Sequence, residues 1–144
     1  MTTIETEFQT IFIPTAGIGS RLNSYTKKRN KSHLRLKDKP IISHIIDAFD
    51  LKKKFVIALG HEGEKLQEYL EITYSNRIKN ITFINISDYK SNKASLGLTL
   101  DHSKKKLKKP FIFWACDSLL SEKKINLNYS NFIIGAKNKF AESS

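Results

Sequence analysis

Short, wholly apolar runs alternate along this chain with amphipathic stretches of helical period, and that alternation leaves few architectures open. The first run, Thr10 to Ile13, ends at Pro14 and leads into a glycine-containing segment, TIFIPTAG. A helix is expected after Lys39, with Pro40 at its first position and Ile41, Ile42, Ile45, Ile46 and Phe49 on one face. KFVIALG reads as a second strand closed by Gly60, and it lacks the polar alternation of a sheet wetted on one side. Leu66, Tyr69, Leu70 and Thr73 mark a second helical face, NITFINI a third strand, and Leu96, Leu100 and Leu107 a third helix. PFIFWA supplies a fourth strand ending at Cys116 and Asp117, and SNFIIGA a fifth. The expected fold is α/β, a doubly wound, mostly parallel sheet with helices on both faces.

A chain of 144 residues has room for one domain, so residues 1–144 are read as a single unit. Its apolar runs span only a few residues, far from the roughly 20 that cross a bilayer, and MTTIETEFQT carries no basic segment ahead of an apolar one. A cytoplasmic protein without membrane insertion is expected. The lone Cys116 offers no internal disulfide and no CxxC pair. Lys+Arg 25 against Asp+Glu 14 leaves a net charge of +11, which raises the question of nucleic acid. The runs Lys52–Lys54 and Lys104–Lys109 have no aromatic residues between the charges on which bases could stack, so they read as solvated ends of elements. The positive field would still favour a phosphate-bearing substrate.

The chemistry gathers in AGIGSRL, Ala16 to Leu22, directly after the first strand. Gly17 and Gly19 let the backbone approach a ligand and point successive amides at phosphate oxygens, while Ser20 and Arg21 add donors and charge. A dinucleotide-binding loop would need glycine where Leu22 stands and an acidic residue at the end of the second strand, which ends instead in Leu59 and Gly60. A basic segment with Thr26, Lys31 and Lys39 follows before any helix and faces the glycine loop. Asp117, at the carboxyl end of the fourth strand, lies where α/β sites form. His33, His44, His61 and His102 show no metal-binding spacing, and Trp114 and Cys116 read as core.

This ordered run resembles the opening of the sugar-phosphate nucleotidylyltransferase superfamily, roughly AAGxG[ST]RLxPxTxxxPKxLxPxxxKP. Ala16, Gly17, Gly19, Ser20, Arg21, Leu22, Thr26, Lys31, Lys39 and Pro40 fall on it in order. The entrance through IPTAG is similar to bacterial uridylyltransferases, and NKASL is similar to the Asn-x-x-Ser-Leu pattern of phosphocholine cytidylyltransferases. Asn30 and Arg35 stand where the superfamily has proline. The resemblance implies a Rossmann-like, GT-A-type core, with the chain covering its N-terminal, nucleotide-binding portion and apparently truncated.

The implied activity is Mg²⁺-dependent transfer of NMP from an NTP, CTP or UTP favoured, to a small phosphorylated acceptor, with release of pyrophosphate. Such chemistry serves the synthesis of cell-surface polysaccharides. The resemblance gives Arg21 and Lys31 catalytic roles, places nucleotide on Ala16, Gly17, Gly19, Ser20, Arg21 and Ser95, and assigns the metal to Asp117. Because it stops on the fifth strand, an incomplete or partner-dependent catalyst is expected, either a homo-oligomer or a chain completed by a further segment. A nucleotide-binding regulatory module without turnover and a basic nucleic-acid binder are the alternatives.

Overall fold

A computed structural model describes residues 2–127 apart from 109 and 122. The SNFIIGA run lies outside the described residues. The strands are β1 (Thr3–Glu5), β2 (Thr10–Pro14), β3 (Arg35–Leu36), β4 (Lys39–Pro40), β5 (Lys54–Leu59), β6 (Ile81–Asn85), β7 (Phe111–Phe113) and β8 (Lys124–Asn126). The helices are α1 (Ile41–Ala48), α2 (Gly63–Thr73) and α3 (Leu96–Ser103).

Four parallel strands form the central sheet in the order β6-β5-β2-β7, as expected of a doubly wound fold. The chain steps outward from β2 through β5 to β6, then returns to the other side of β2 as β7. That reversal beside β2 is the topological switch point, where the connections diverge and leave a crevice at the carboxyl ends of the strands. Both faces are covered. Ile11 and Ile13 of β2 and Phe55, Ile57 and Leu59 of β5 pack with Ile42, Ile45 and Ile46 of α1 and Leu66 and Leu70 of α2. The alternate side chains, Phe12, Val56 and Ala58, face the other way, where Leu100 of α3 and Leu107 pack against them. This period-two division explains why the strands read as continuous apolar runs.

The structure differs from the sequence reading in five local respects. β7 ends at Phe113, so Asp117 lies in a turn four residues beyond it rather than at the strand's carboxyl end. Pro40 precedes α1 as its N-cap, with φ −59°, rather than occupying the first helical position. Thr73 is exposed, and Tyr74 takes the buried place at the end of α2. Leu96 at the head of α3 is exposed and Leu107 lies beyond its end, while Thr99 and Ser103 carry its buried face. Four short strands are absent from the sequence reading: β1 and β8 pair in parallel, Thr3 opposite Lys124, and β3 and β4 pair antiparallel, Arg35 opposite Pro40, each too short to stand out. Among the described residues, no helix is long and apolar enough to cross a membrane.

Gly60 does more than end a strand. A Cβ there would lie 2.5 Å from the Ala16 carbonyl oxygen and 2.8 Å from its Cα, both backbone atoms that cannot step aside. Gly60→Ala is therefore expected to lower stability by about 1–3 kcal/mol, the scale of overpacking a tight site, as read by urea denaturation. An unchanged midpoint would show that the two backbones separate freely.

Candidate functional site

The crevice beside β2 holds a cavity of about 430 Å³, within the range of small-ligand sites. Its walls include Ala16, Gly17, Gly19, Ser20, Arg21, Lys31 and Ser95, so the residues singled out for nucleotide and catalysis share one space. A second cavity, of about 580 Å³, opens at the other end of the sheet around Thr10, Lys54 and Lys108, away from the glycine loop.

The glycine loop is tied back by the segment that follows it. Gly19 has φ +68°, a left-handed conformation that suits glycine, and its carbonyl accepts from the Thr26 hydroxyl at 2.9 Å. Gly17 is different: it is not among the positive-φ residues, and a Cβ added there meets nothing within 4 Å. Its lack of a side chain therefore leaves cavity space open rather than permitting a strained backbone. Ser20 begins a six-residue 3-10 turn, Ser20–Tyr25, that buries no residue, which leaves Ser20 and Arg21 exposed along the wall.

Lys31 begins a second 3-10 turn, Lys31–His33, capped by Asn30, and its Nζ forms an ion pair with the Asp117 carboxylate. The two groups are 86 residues apart in sequence; Lys31 lines the cavity while Asp117 does not, and their side chains are 32% and 39% exposed, accessible to a ligand. Asp117 sits in a turn after β7 in which the Ser118 N–H donates to the Ala115 carbonyl at 3.1 Å. The Trp114 indole N–H donates to the Ser118 carbonyl at 2.9 Å, so this core residue also holds the turn that presents Asp117. Lys39 takes another course: its Nζ pairs with Asp47 of α1, and it does not line the cavity.

Ser95 lines the cavity as the N-cap of α3, its Oγ accepting from the Leu98 N–H at 3.1 Å. The hydroxyl hydrogen stays available to a ligand acceptor. Cys116 also borders the cavity, and burial pushes its thiol up to about 11, with the neighbouring Asp117 charge adding to the shift and Lys31 opposing it.

Sequence reasoning missed two participants. Asn30 is fully buried, and its side-chain amide donates to the carbonyls of Thr15 and His61, each at 2.8 Å. His61, which has no metal-binding neighbours to draw attention to it, donates from ring Nε2 to the Thr26 carbonyl at 2.6 Å and from its backbone N–H to the Ala16 carbonyl at 3.1 Å. The signal for Asn30 was its place beside Lys31 in a motif position usually held by proline.

Among the described residues, no group of three or more His, Cys, Asp or Glu side chains comes together to hold a metal. Mg²⁺ is commonly held by one or two carboxylates together with a ligand's phosphates and water. Asp117, partly exposed and ion-paired with the cavity-lining Lys31, is the carboxylate that would have to serve.

No protein-family model matches the chain, and no curated protein matches it in sequence. Solved structures do match its fold. CTP:phosphocholine cytidylyltransferase from Streptococcus pneumoniae is 18% identical, with a TM-score of 0.62 over 81% of this chain and 48% of that one. UDP-glucose pyrophosphorylase in complex with UDP-glucose is 20% identical, with a TM-score of 0.59 over 76% and 46%. The pyrophosphorylase of Acinetobacter baumanii is 16% identical, with a TM-score of 0.59 over the same shares. The chain thus has the nucleotidylyltransferase fold and spans less than half the length of these proteins.

The Cys116 environment has a measurable consequence. An ordinary thiol of pKa about 8.5 is partly thiolate at pH 8, whereas one pushed up to about 11 stays protonated. Alkylation of Cys116 at pH 8 should run at least about tenfold slower than that of a free cysteine peptide and rise steeply above pH 9. Alkylation at the peptide rate would mean the thiol is not buried as described.

Proposed function

We propose that this chain binds a nucleoside triphosphate in the cavity beside β2, with CTP or UTP favoured, and serves nucleotidyl transfer to a small phosphorylated acceptor such as a sugar phosphate or phosphocholine. The observation that carries this reading is the convergence of the glycine loop, Arg21 and Lys31, the last ion-paired with Asp117, on one cavity at the switch point of the sheet.

In this reaction an acceptor phosphate oxygen forms a bond to the α-phosphorus, the bond to the bridging oxygen breaks, and pyrophosphate leaves with that electron pair. A phosphate nucleophile is already ionised near neutral pH, so no general base is needed. The chemical task is to bring anions together and to stabilise charge on the leaving pyrophosphate. The glycine-loop amides and Arg21 hold the β- and γ-phosphates, and Lys31 exchanges its partner, Asp117, for the reacting α-phosphate. Ala16 and Gly17 supply the surface for the base, and the Ser95 hydroxyl supplies a donor. Mg²⁺ held by Asp117 and the phosphates would add charge neutralisation.

Calorimetric titration of the chain with Mg²⁺ and each of the four common NTPs tests the binding step, and a panel of phosphorylated acceptors assayed for pyrophosphate release tests the transfer. Arg21→Ala and Lys31→Ala are each expected to remove about 3–4 kcal/mol of transition-state stabilisation, about 10²–10³ in rate, without shifting the melting temperature. Gly17→Val should melt like the parent yet bind no NTP, because its side chain enters cavity space that is otherwise empty. Retention of NTP binding by Gly17→Val, or of full rate by either cation variant, would refute the assignment concerned.

A further inference from the structure

Asn30 is a buried polar residue next to the cavity-lining Lys31, and its side chain uses both of its chemical halves. The amide nitrogen donates to Thr15, at the exit of β2, and to His61, at the exit of β5, each at 2.8 Å. The amide oxygen accepts from the Ser32 backbone N–H at 3.0 Å and from the Ser32 hydroxyl at 2.7 Å. One side chain therefore ties the segment that carries Lys31 to the ends of the two central strands. Lys31 lies between the two residues so joined, Asn30 and Ser32.

The backbone of Asn30 sits at φ −64° and ψ 142°, the values of a proline in extended conformation. Asparagine has no intrinsic need to hold that φ. What the ring of a proline would impose covalently, four hydrogen bonds impose here.

From this we infer that Asn30 is the positioning residue for Lys31: its clamp on Thr15, His61 and Ser32 aims the Lys31 ammonium at Asp117 and the cavity. The inference rests on the nucleotide-binding reading for its functional meaning, whereas the placement of Lys31 can be measured with no nucleotide present. Asn30 does not touch the ligand and acts only through Lys31.

The experiment compares the parent chain with Asn30→Ala, Asn30→Pro and Ser32→Ala. Amine acetylation at low extent, read by peptide mass spectrometry, reports the reactivity of Lys31 against exposed Lys37 as an internal reference. Asn30→Ala should raise the Lys31:Lys37 labelling ratio several-fold. Asn30→Pro should bring it most of the way back by restoring φ. If Asn30→Ala fails to melt cooperatively, Ser32→Ala, which keeps the backbone bond and loses only the hydroxyl one, should raise the ratio about twofold.

A second arm measures Mg²⁺-CTP and Mg²⁺-UTP affinity. Asn30→Ala should weaken binding about tenfold in the parent and not at all when Lys31 is already alanine, a dependence that general loss of structure would not produce. Equal Lys31 labelling in the parent and Asn30→Ala, or a Pro variant as reactive as the Ala variant, overturns the inference. Failure of the parent to bind any NTP overturns the proposed function instead, with the labelling arm still deciding what places Lys31.

Discussion

The close approach of Gly60 to Ala16 is the contact on which the site depends. Residue 60 follows β5 and residue 16 follows β2, so this is the place where the two central strands stop pairing as a ladder and pass into the loops that form the cavity. Pairing does not end abruptly. The Thr15 N–H and hydroxyl both donate to the Ala58 carbonyl, at 2.9 and 2.6 Å, and the His61 N–H donates to Ala16. The start of the glycine loop is thus an extension of the sheet, rigid for the same reason that the sheet is rigid. A Cβ at residue 60 would force the strand ends apart at this point, and Ala16, His61 and the Asn30 clamp would all lose their reference frame.

Electrostatics at the cavity follow a different logic from packing beneath it. The described walls contain two cations, Arg21 and Lys31, with Asp117 as the partner of the second. An anionic ligand would therefore meet little opposing charge, and the overall net charge of +11 adds a favourable long-range field. Because Lys31 and Asp117 are partly exposed, their pairing contributes little to stability, in keeping with surface ion pairs generally. The pair is better understood as a local arrangement of charge: Lys31 lines the cavity with its ammonium held by a carboxylate that is itself partly exposed.

Much of this was legible in the sequence, and the exceptions have physical reasons. The central strands and α1 were visible because both faces of the sheet are buried, so Ile11 to Ile13 and Phe55 to Leu59 could be read as wholly apolar runs. The glycine loop and Lys31 stand out because their spacing forms a long ordered motif, and Asp117 because it follows an apolar strand; the loop and Lys31 line one cavity, and Asp117 pairs with Lys31. Thr73 misled because helical period alone does not say where a helix ends: Tyr74, the C-cap of α2, packs inward while Thr73 is exposed. The roles of Asn30 and His61 are carried by hydrogen bonds to backbone carbonyls 15 and 35 residues away, and no pattern of residue types encodes a carbonyl partner. Lys39 matched the motif as well as Lys31 did, yet its ammonium is engaged by Asp47 one helical element away.

The two cationic sides of the cavity are built unequally, and the inequality bears on what each can contribute. Lys31 descends from a clamp anchored in the sheet, whereas Ser20 and Arg21 begin a 3-10 turn with no buried residue, tied back mainly by Leu22 to Gly19 at 2.9 Å and by Thr26 to Gly19. Inside that turn Asn23 interrupts the helical dihedrals at φ 47° and ψ −117°. A group already in place when charge develops stabilises it without reorganisation, while a group that must be ordered by the ligand gives up part of its interaction energy to that ordering. In the proposed transfer, an anchored lysine matches the reacting phosphate, where charge changes, and an exposed arginine matches the terminal phosphates, whose charge mainly has to be held.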